Sequence, residues 1–462
     1  MPHASQPALA HASTKSAGPV SGHTPAASDS NRDVMPAYRT SRLCCTSDRG
    51  GGRDCNATSC PTTRGWERQH EKVDRMAARP ALDERLATLA CPVDHTMLDP
   101  AVQDSPWDFY DELHEKCPVF PMPEIGAVMV TKYEDVRYVL THPELFSSSG
   151  RSGKGSRAKA DMAQRYQQIL RERGWGHVET LQRTDPPDHT AYRRLVAKAF
   201  LPKRIREMTP HIDAVCTGLI DGLIDAGECE FHMDFAMPLP GTIIAEELGL
   251  DRAEILRFNR WASAMLAMAM RPLTEEQMLE AVETELEAQH HLAAEFERRR
   301  DDPQDDLIST LVHAHVGEED AEPLTVAELQ NLMHQLVTGG FETTTSALNH
   351  GMWLITRRPD VQERVRKDLS LVPSFVEEVL RFESPVAGLV RRATQDVEVN
   401  GVVIPEGAMV MARYQAANRD AEVFDHADEF DLDRSRDHQH LAFGVGPHFC
   451  VGAALARQEL VS

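Results

Sequence analysis

Near the end of the chain, Cys450 is surrounded by residues that could give its sulfur a chemical role. Gly444, Gly446 and Gly452 flank it, and an Ala-Leu-Ala run that predicts a helix follows it. At the start of a helix, unpaired backbone N–H groups and the helix dipole stabilise a thiolate. The glycines clear side chains from around the sulfur, as a large flat cofactor would need. The pattern therefore favours a sulfur that faces such a cofactor.

Other uses of this cysteine fit the sequence less well. A redox thiol would need a resolving partner, and no Cys-x-x-Cys motif lies near Cys450. A papain-type nucleophile would need a histidine that activates it, and the sequence shows no obvious turn motif that would bring the two residues together. On this residue alone, a purely structural cysteine remains an alternative.

The element that must position the chemistry is a long helix. Thr325 and Glu328 form a capping box at its start. Apolar residues then recur with helical period until about Arg357, which predicts roughly 32 residues and a length of about 48 Å. A helix of that length must cross the whole domain.

The middle of this helix carries a stretch that helix formation alone does not explain. Residues 339–345 include two glycines and three threonines, which are poor helix formers. The glycines allow another body to approach the backbone closely. Within the stretch, a buried Glu342 beside Thr343 is costly unless it has a partner or a task. A structural Glu342 is the alternative.

A third segment opens with Asp185-Pro186-Pro187, in which Asp185 can cap a helix and Pro186 suits the first turn. His189 and Arg193 lie four residues apart, so they share one face of this helix. A surface pair is the alternative interpretation of these two residues.

The remaining pattern predicts a mainly α-helical protein with small β-sheets. Strand-like stretches at Ala127–Thr131 and Val397–Ile404 interrupt the helical periodicity. No internal repeat and no Gly/Ser linker divides residues 76–462, so we predict one large domain there.

Residues 1–75 differ from the rest, because they are rich in Ser, Thr, Ala, Gly and Pro and lack apolar periodicity. We predict a disordered N-terminal extension or a misplaced start, with Met76 as a sensible first residue. A zinc site formed by the cysteines of this segment is disfavoured, because the adjacent Cys44 and Cys45 do not fit ribbon or finger spacing.

Composition excludes several classes of function. The 49 Lys and Arg against 72 Asp and Glu give a net charge of −23, which argues against nucleic acid as a partner. No run of about 18 apolar residues exists, so no membrane span is expected. Nine cysteines are too few and too scattered for a disulfide framework. We predict a large acidic protein of the cytoplasm.

These motifs together resemble a known family. The loop Phe443-Gly-x-Gly-x-His-x-Cys450-x-Gly452 resembles the haem-thiolate loop of cytochrome P450 monooxygenases. The Gly339–Thr344 stretch resembles the family's oxygen-activating segment, and Glu378-x-x-Arg381 resembles its Glu–Arg pair. Segments 185–194 and 417–420 resemble the bacterial soluble branch. The resemblance extends over about residues 95–462.

The resemblance implies the cytochrome P450 fold, with the long helix crossing over a haem b (iron protoporphyrin IX). It implies insertion of one oxygen atom of O2 into a C–H bond of a small hydrophobic substrate. Because the chain stops at Ser462, twelve residues after Cys450, the resemblance also implies that the C-terminal strands are missing and the chain is truncated.

The resemblance also assigns the site residues. Cys450 would ligate the iron, and Thr343 with Glu342 would deliver protons to dioxygen. Four cationic residues would hold the haem propionates. These residues are His189, Arg193, Arg391 and His448. Arg392 is a second candidate beside Arg391. Glu378 and Arg381 would form an ion pair completed by Arg434 or His440.

Partners follow from what the sequence lacks. No flavin or iron–sulfur segment is present, so electrons would come from separate proteins. The resemblance implies that these are a ferredoxin and its NAD(P)H-dependent reductase. Arg434, Arg436 and Arg457 could form their docking patch.

Met265 and Met268 are either pocket liners or ordinary core. A monomer is expected.

Two alternative functions remain open at this point. One is a haem-thiolate peroxygenase or isomerase, against which an intact Glu342–Thr343 pair argues. The other is an inert haem-binding fragment.

Overall fold

A computed structural model describes residues 81–150, 157–250, 254–270, 273–316, 322–435, 437 and 439–462. The predicted extension over residues 1–75 and the alternative start at Met76 lie outside the described residues.

Helices dominate the described residues, as the apolar periodicity predicts. In chain order they are α1 (Leu82–Ala87), α2 (Pro100–Asp104), α3 (Trp107–Lys116), α4 (Tyr133–Thr141), α5 (Arg157–Arg173), α6 (Asp188–Ala197), α7 (Pro202–Ile224), α8 (Pro238–Glu247), α9 (Ile255–Met270), α10 (Glu275–Asp301), α11 (Leu307–Val312), α12 (Val326–Arg357), α13 (Pro359–Lys367), α14 (Val372–Phe382), α15 (Tyr414–Ala417) and α16 (Ala453–Val461). Of these helices, none has the length and apolar character needed to cross a bilayer.

The predicted long helix is α12, and its bounds match the prediction. Its capping box is complete: the Glu328 N–H donates to Thr325 Oγ1 at 3.2 Å, and the Thr325 N–H donates to Glu328 Oε2 at 2.9 Å. Both interactions satisfy N–H groups that the first turn would leave unpaired. Gly340 packs beside Ile244 of α8, whereas a Cβ at Gly339 would meet no atom within 4 Å. The helix therefore has open space on one side of its midpoint.

The described strands form two small sheets, which agrees with the predicted fold class. They are β1 (Val119–Met122), β2 (Ala127–Val130), β3 (Phe146–Ser147), β4 (Leu389–Ala393), β5 (Val397–Val399), β6 (Val402–Ile404) and β7 (Met409–Ala412). The larger sheet has the order β1-β2-β7-β4-β3, in which β2 and β7 are parallel and the other neighbours antiparallel.

The single strand-like stretch predicted at Val397–Ile404 is instead the hairpin β5–β6. Asn400 and Gly401 connect the strands with φ angles of 49° and 74°. Two consecutive positive φ angles are typical of a type I′ turn, whose twist matches that of the strands it joins. The Asn-Gly pair was the signal for this reversal.

Two main hydrophobic cores support the site. One is formed by helices around α12 and includes Phe296, Leu332 and Phe341. The other lies between the large sheet and α4 and includes Val128, Val139 and Val410. Because β4 alternates its side chains between faces, Arg391 is buried and Arg392 is exposed.

Candidate functional site

One cavity collects nearly all of the predicted site residues. It encloses about 1500 Å³ of empty space, part of which is open to solvent. Six of the seven residues line it, namely Cys450, Thr343, His189, Arg193, Arg391 and His448. Glu342 does not line this cavity, although it is the direct neighbour of Thr343.

The loop before Cys450 is shaped by glycine. Gly444 and Gly446 have φ angles of 67° and 78°, which side chains rarely adopt. A Cβ on Gly446 would lie 2.7 Å from the Leu140 carbonyl oxygen, so this glycine allows the loop to pack against α4. A Cβ on Gly452 would meet no atom within 4 Å. Gly452 therefore borders space beside the sulfur, whereas Gly446 serves packing.

The protein environment of Cys450 does not by itself stabilise a thiolate. Burial raises the pKa of the thiol, and the Gly452 N–H, Arg193 and Arg457 only partly offset this effect. The Gly452 N–H lowers the thiol pKa, as expected near a helix start, but burial has the larger and opposite effect. The helix α16 itself begins at Ala453, so Cys450 lies just before it. A metal ion would supply the missing positive charge, since a coordinating thiol is deprotonated.

The two arginines of the cavity, the half-buried Arg193 and the buried Arg391, lack anionic partners among the described residues. Arg391 is 3% exposed and donates to its neighbour's carbonyl, at Val390. Among the described residues, neither Arg193 nor Arg391 forms an ion pair with a carboxylate. Burial lowers the pKa of both guanidinium groups. Buried charges need partners, so the residues fit a bound group with acidic substituents, as haem has in its two propionates.

Two histidines complete this group of cations and donors. The rings of His189 and His448 lie 4.0 Å apart between centroids. Burial, with a smaller contribution from Arg193, lowers the pKa of His189 to about 4, so this ring is neutral near pH 7. His448 Nε2 lies 3.1 Å from Ser148 Oγ. His189 therefore offers a hydrogen bond rather than a charge.

Of the predicted catalytic pair, Thr343 and Glu342, only Thr343 lines the cavity. The Thr343 hydroxyl donates to the Gly339 carbonyl at 2.7 Å. Burial raises the pKa of Glu342, while the nearby His232 lowers it. The carboxyl group of Glu342 therefore protonates more readily than an exposed glutamate.

Below the cysteine loop, the predicted ion pair is a buried three-residue cluster. Arg381 Nε and Nη2 donate to the two Glu378 oxygens at 2.8 and 2.7 Å. Of the two candidates for third partner, Arg434 lies 3.0 Å from Glu378, whereas His440 pairs with Glu377 at 3.1 Å. The cluster ties α14 to the segment that precedes the cysteine loop.

The sequence analysis missed one functional candidate, Glu459 of α16. It is 3% exposed, lines the cavity and is hydrogen-bonded to Thr344. Burial raises the pKa of its carboxyl group to about 8. Its spacing of four residues from the buried Leu455 was the available signal, because the two share a helix face.

The proposed methionine liners are ordinary core. Met265 is buried in the helical core around α12. Met268 packs against the smaller cluster between α5 and α10. Neither residue lines the cavity.

The chain is similar to proteins of one known family. Residues 253–461 match the family model described as Cytochrome P450. The chain is 35% identical over 336 residues to Cytochrome P450 107B1 of Saccharopolyspora erythraea, covering 72% of this chain and 79% of that protein. This chain belongs to the cytochrome P450 family. Its predicted fold class and its prediction as a monooxygenase are confirmed.

Other P450 proteins give the same result. The chain is 34% identical to 6-deoxyerythronolide B hydroxylase of Saccharopolyspora erythraea, covering 76% of this chain and 84% of that enzyme. The structure of Cytochrome P450 CYP109Q5 from Chondromyces apiculatus matches with a TM-score of 0.66 at 33% identity, over 79% of this chain and 87% of that one. Membership in this P450 family implies a haem-thiolate iron cofactor.

Proposed function

We propose that this P450 inserts one atom of O2 into a C–H bond of a small hydrophobic substrate, as a monomer in the cytoplasm. The observation that supports the proposal best is one cavity lined by the Cys450 thiol, a threonine hydroxyl and two guanidinium groups without carboxylate partners, of which that of Arg391 is buried. Bound haem b would supply the dioxygen activation that no side chain provides.

The polar residues of the cavity divide into holding and proton-delivering groups. Cys450 is the iron ligand in this proposal. Arg193 and Arg391 compensate the propionate charges, and His448 and the neutral His189 ring add hydrogen bonds. Supporting this division, the two arginines carry permanent charge, whereas the pKa of His189 is lowered to about 4 by burial and by Arg193.

Thr343 and Glu342 form the proton path of this proposal. The Thr343 hydroxyl donates to the Gly339 carbonyl, and turning from this bond aims its hydrogen into the cavity. A hydroxyl both accepts and donates, so it can pass a proton onward. Glu342, the preceding residue in the chain, restores that proton. Its raised pKa favours this role, because general acids work best when their pKa is near the operating pH.

A hydrophobic substrate suits the walls of the cavity. Apolar side chains contribute most of them, including Leu181, Phe200, Ile244, Leu336, Ala347 and Leu389. Such a lining favours apolar ligands, with few polar groups to orient them.

Electrons would come from a ferredoxin and its NAD(P)H-dependent reductase. The docking patch expected at Arg434 and Arg457 is weakened, however, because Arg434 pairs with Glu378 and Arg457 with Glu377. Arg436 lies outside the described residues. Other surface cations must therefore contribute to docking.

The decisive test is the carbon monoxide difference spectrum of the reduced protein. Thiolate-bound haem should give a strongly red-shifted Soret band in the wild-type protein. Cys450→Ala should abolish this band, because it removes the sulfur ligand. Cys229→Ala is the matched control, since Cys229 is an exposed free thiol away from the cavity.

Two outcomes would contradict the proposal. One is a red-shifted band that survives in Cys450→Ala. The other is a folded wild-type protein that takes up no haem. Circular dichroism of each protein establishes that it is folded before its spectrum is interpreted.

A further inference from the structure

A second cluster of metal-ligating side chains lies outside the haem cavity. It consists of His177 in the loop after α5, Glu285 of α10 and His334 of α12. One donor atom from each residue lies within 4.8 Å of the donor atoms of the other two. None of the three residues lines the cavity that contains Cys450.

The distances within the cluster fit a small divalent cation. His177 Nε2 lies 3.0 Å and His334 Nδ1 lies 3.6 Å from the same Glu285 oxygen, Oε1. A tetrahedral zinc ion about 2.0–2.1 Å from each ligand would separate neighbouring ligand atoms by roughly 3.3 Å. The two observed distances bracket this value, so small side-chain shifts would complete the ligand set.

The charge of Glu285 is not balanced by a permanent cation. Glu285 is 1% exposed, and it accepts hydrogen bonds from the neutral Tyr166 hydroxyl and Gln289 amide. Among the described residues, its ion-pair partners are His177 and His334. Buried carboxylates are paired or coordinate metals, and a divalent cation held by these three side chains would supply a permanent positive charge.

His334 gives an independent indication. Its Nδ1 atom is buried and has no hydrogen-bond partner among the described residues. The 3.6 Å separation from Glu285 Oε1 is too long for a hydrogen bond. An imidazole nitrogen that faces a buried carboxylate without bonding to it is placed as a metal ligand would be.

Outer hydrogen bonds orient two of the ligands. Tyr166 fixes the second oxygen of Glu285. Gln167 holds the His177 ring, with its Nε2 3.0 Å from Nδ1 and its Oε1 accepting from the His177 N–H at 3.2 Å. When Nε2 ligates a cation, Nδ1 carries the proton, so the Gln167 amide must turn to present its oxygen. Such outer partners are usual around metal-ligating histidines.

We propose that His177, Glu285 and His334 form a binding site for one divalent transition-metal ion of the zinc class. Two imidazoles and one carboxylate suit zinc, with a fourth position left for water. The site is separate from the haem, and it does not depend on the function proposed above.

A cation at this site would join three segments beside the haem cavity. Asn331 of α12 already donates to the Val178 carbonyl at 2.5 Å and to Thr180 Oγ1 at 2.8 Å. Leu181 and Gln182 follow directly and line the cavity. Binding at His177 would therefore fix the loop over residues 174–182, and with it one wall of the cavity.

The test measures zinc bound to the haem-loaded full chain after dialysis against chelator-buffered Zn²⁺. Wild-type protein should bind one more zinc per chain than His177→Gln or His334→Gln. Loss of a ligand should weaken binding on the order of 100-fold. His290→Gln is the control, because His290 lies on α10 and bonds the Arg173 carbonyl instead. Cysteines elsewhere in the chain are common to all four proteins, so any zinc that they bind contributes equally to each measurement.

Equal zinc contents in all four proteins would overturn the proposal, as would a wild-type protein that binds no zinc. Both results would leave a hydrogen-bonded cluster without a metal. Glu285→Gln is not used, because this residue is fully buried and its variant can fail to fold.

Hydrogen exchange of residues 174–182 provides a second readout that does not depend on turnover. Zinc should slow this exchange in wild-type protein and in His290→Gln, and leave it unchanged in the two ligand variants. Zinc binding without slower exchange would overturn the claim that the ion fixes the loop.

Discussion

At the scale of single residues, burial controls the chemistry of the cavity. It raises the pKa of Cys450, lowers the pKa of the two arginines and makes His189 neutral near pH 7. Each shift disfavours the charged form of its group, as desolvation requires. A bound group that brings both iron and carboxylates would offset the cost of placing these charged forms in the cavity.

Removing the Thr343 hydroxyl should separate electron consumption from product formation. In Thr343→Ala we expect product formation to fall on the order of 100-fold, because general acid–base groups contribute about that much. The measurement is product formed per NAD(P)H consumed, with a surrogate ferredoxin and reductase and a substrate found by its spin-state shift.

Thr356→Ala controls for the loss of a helical threonine. Its hydroxyl also bonds a carbonyl four residues earlier, at Met352, but on an exposed part of α12. Unchanged yield in Thr343→Ala would remove Thr343 from the proton path.

Of the seven site residues predicted from residue types and spacing, six line the cavity, but the sequence did not reveal that Glu342, Met265 and Met268 lie outside its lining or that Glu459 belongs to it. The position of Glu342 beside Thr343 could not reveal that the helix turns it out of the cavity lining. Nor could the sequence choose between Arg391 and Arg392, because that choice depends on the strand face, and register is fixed by pairing with β7.

At the scale of elements, α14 and the segment that precedes the cysteine loop are joined through one buried guanidinium group. Arg381 is 2% exposed and bonds Glu378 as well as the carbonyls of Asn418, Ala427 and Glu429. Three chain segments therefore share one charged side chain. Such a group stabilises an arrangement only while all its partners are present.

Arg381→Ala should lower the free energy of unfolding by about 3–5 kcal/mol, because it leaves Glu378 buried with Arg434 as its remaining charged partner. Arg364→Ala is the control, since the Arg364–Asp433 pair is 46% and 66% exposed. Removing that pair should cost at most about 1 kcal/mol. Urea unfolding followed by circular dichroism measures both variants. Equal costs would show that Glu378 finds another partner.

The elements were predicted best where local signals were strong. The capping box and the sustained apolar period gave α12 its bounds. The disulfide between Cys91 and Cys117 was not predicted, because it joins residues 26 positions apart whose proximity is created by tertiary packing. The metal-ligand cluster was missed for the same reason: its three residues come from three separate segments.

At the scale of the whole molecule, the free energy of unfolding should change with pH because of one buried carboxyl group. Burial raises the pKa of Glu459 to about 8 from an ordinary value of 4.5. The folded state then binds more protons than the unfolded state between these two pH values. Stability is therefore greatest below about pH 4.5 with respect to this group, and it is lost as pH rises toward 8.

Glu459→Gln should remove this dependence, because the amide keeps the shape of the side chain without titrating. We expect a gain of about 2–5 kcal/mol over wild type at pH 8, and a smaller difference at pH 5.5. Urea midpoints at both pH values measure it. Nearby Cys216 does not interfere, since burial raises its pKa to about 11.

Glu363→Gln serves as the exposed control, because Glu363 is 68% exposed beside Lys367. A wild-type protein whose stability does not fall between pH 5.5 and 8 would contradict the assignment to Glu459.

The parallel pairing of β2 with β7 has a consequence for biosynthesis. Val128 of β2 pairs with Val410 of β7, far later in the chain. A ribosome that adds about 5–20 residues per second needs roughly 14–56 s to synthesise the intervening stretch of about 280 residues. During that interval β2, all four of whose residues are buried in the finished fold, has β1 as its strand neighbour but lacks β7. The nascent chain therefore carries an unpaired apolar strand edge for most of its translation, which makes it a substrate for chaperones that bind at the ribosome.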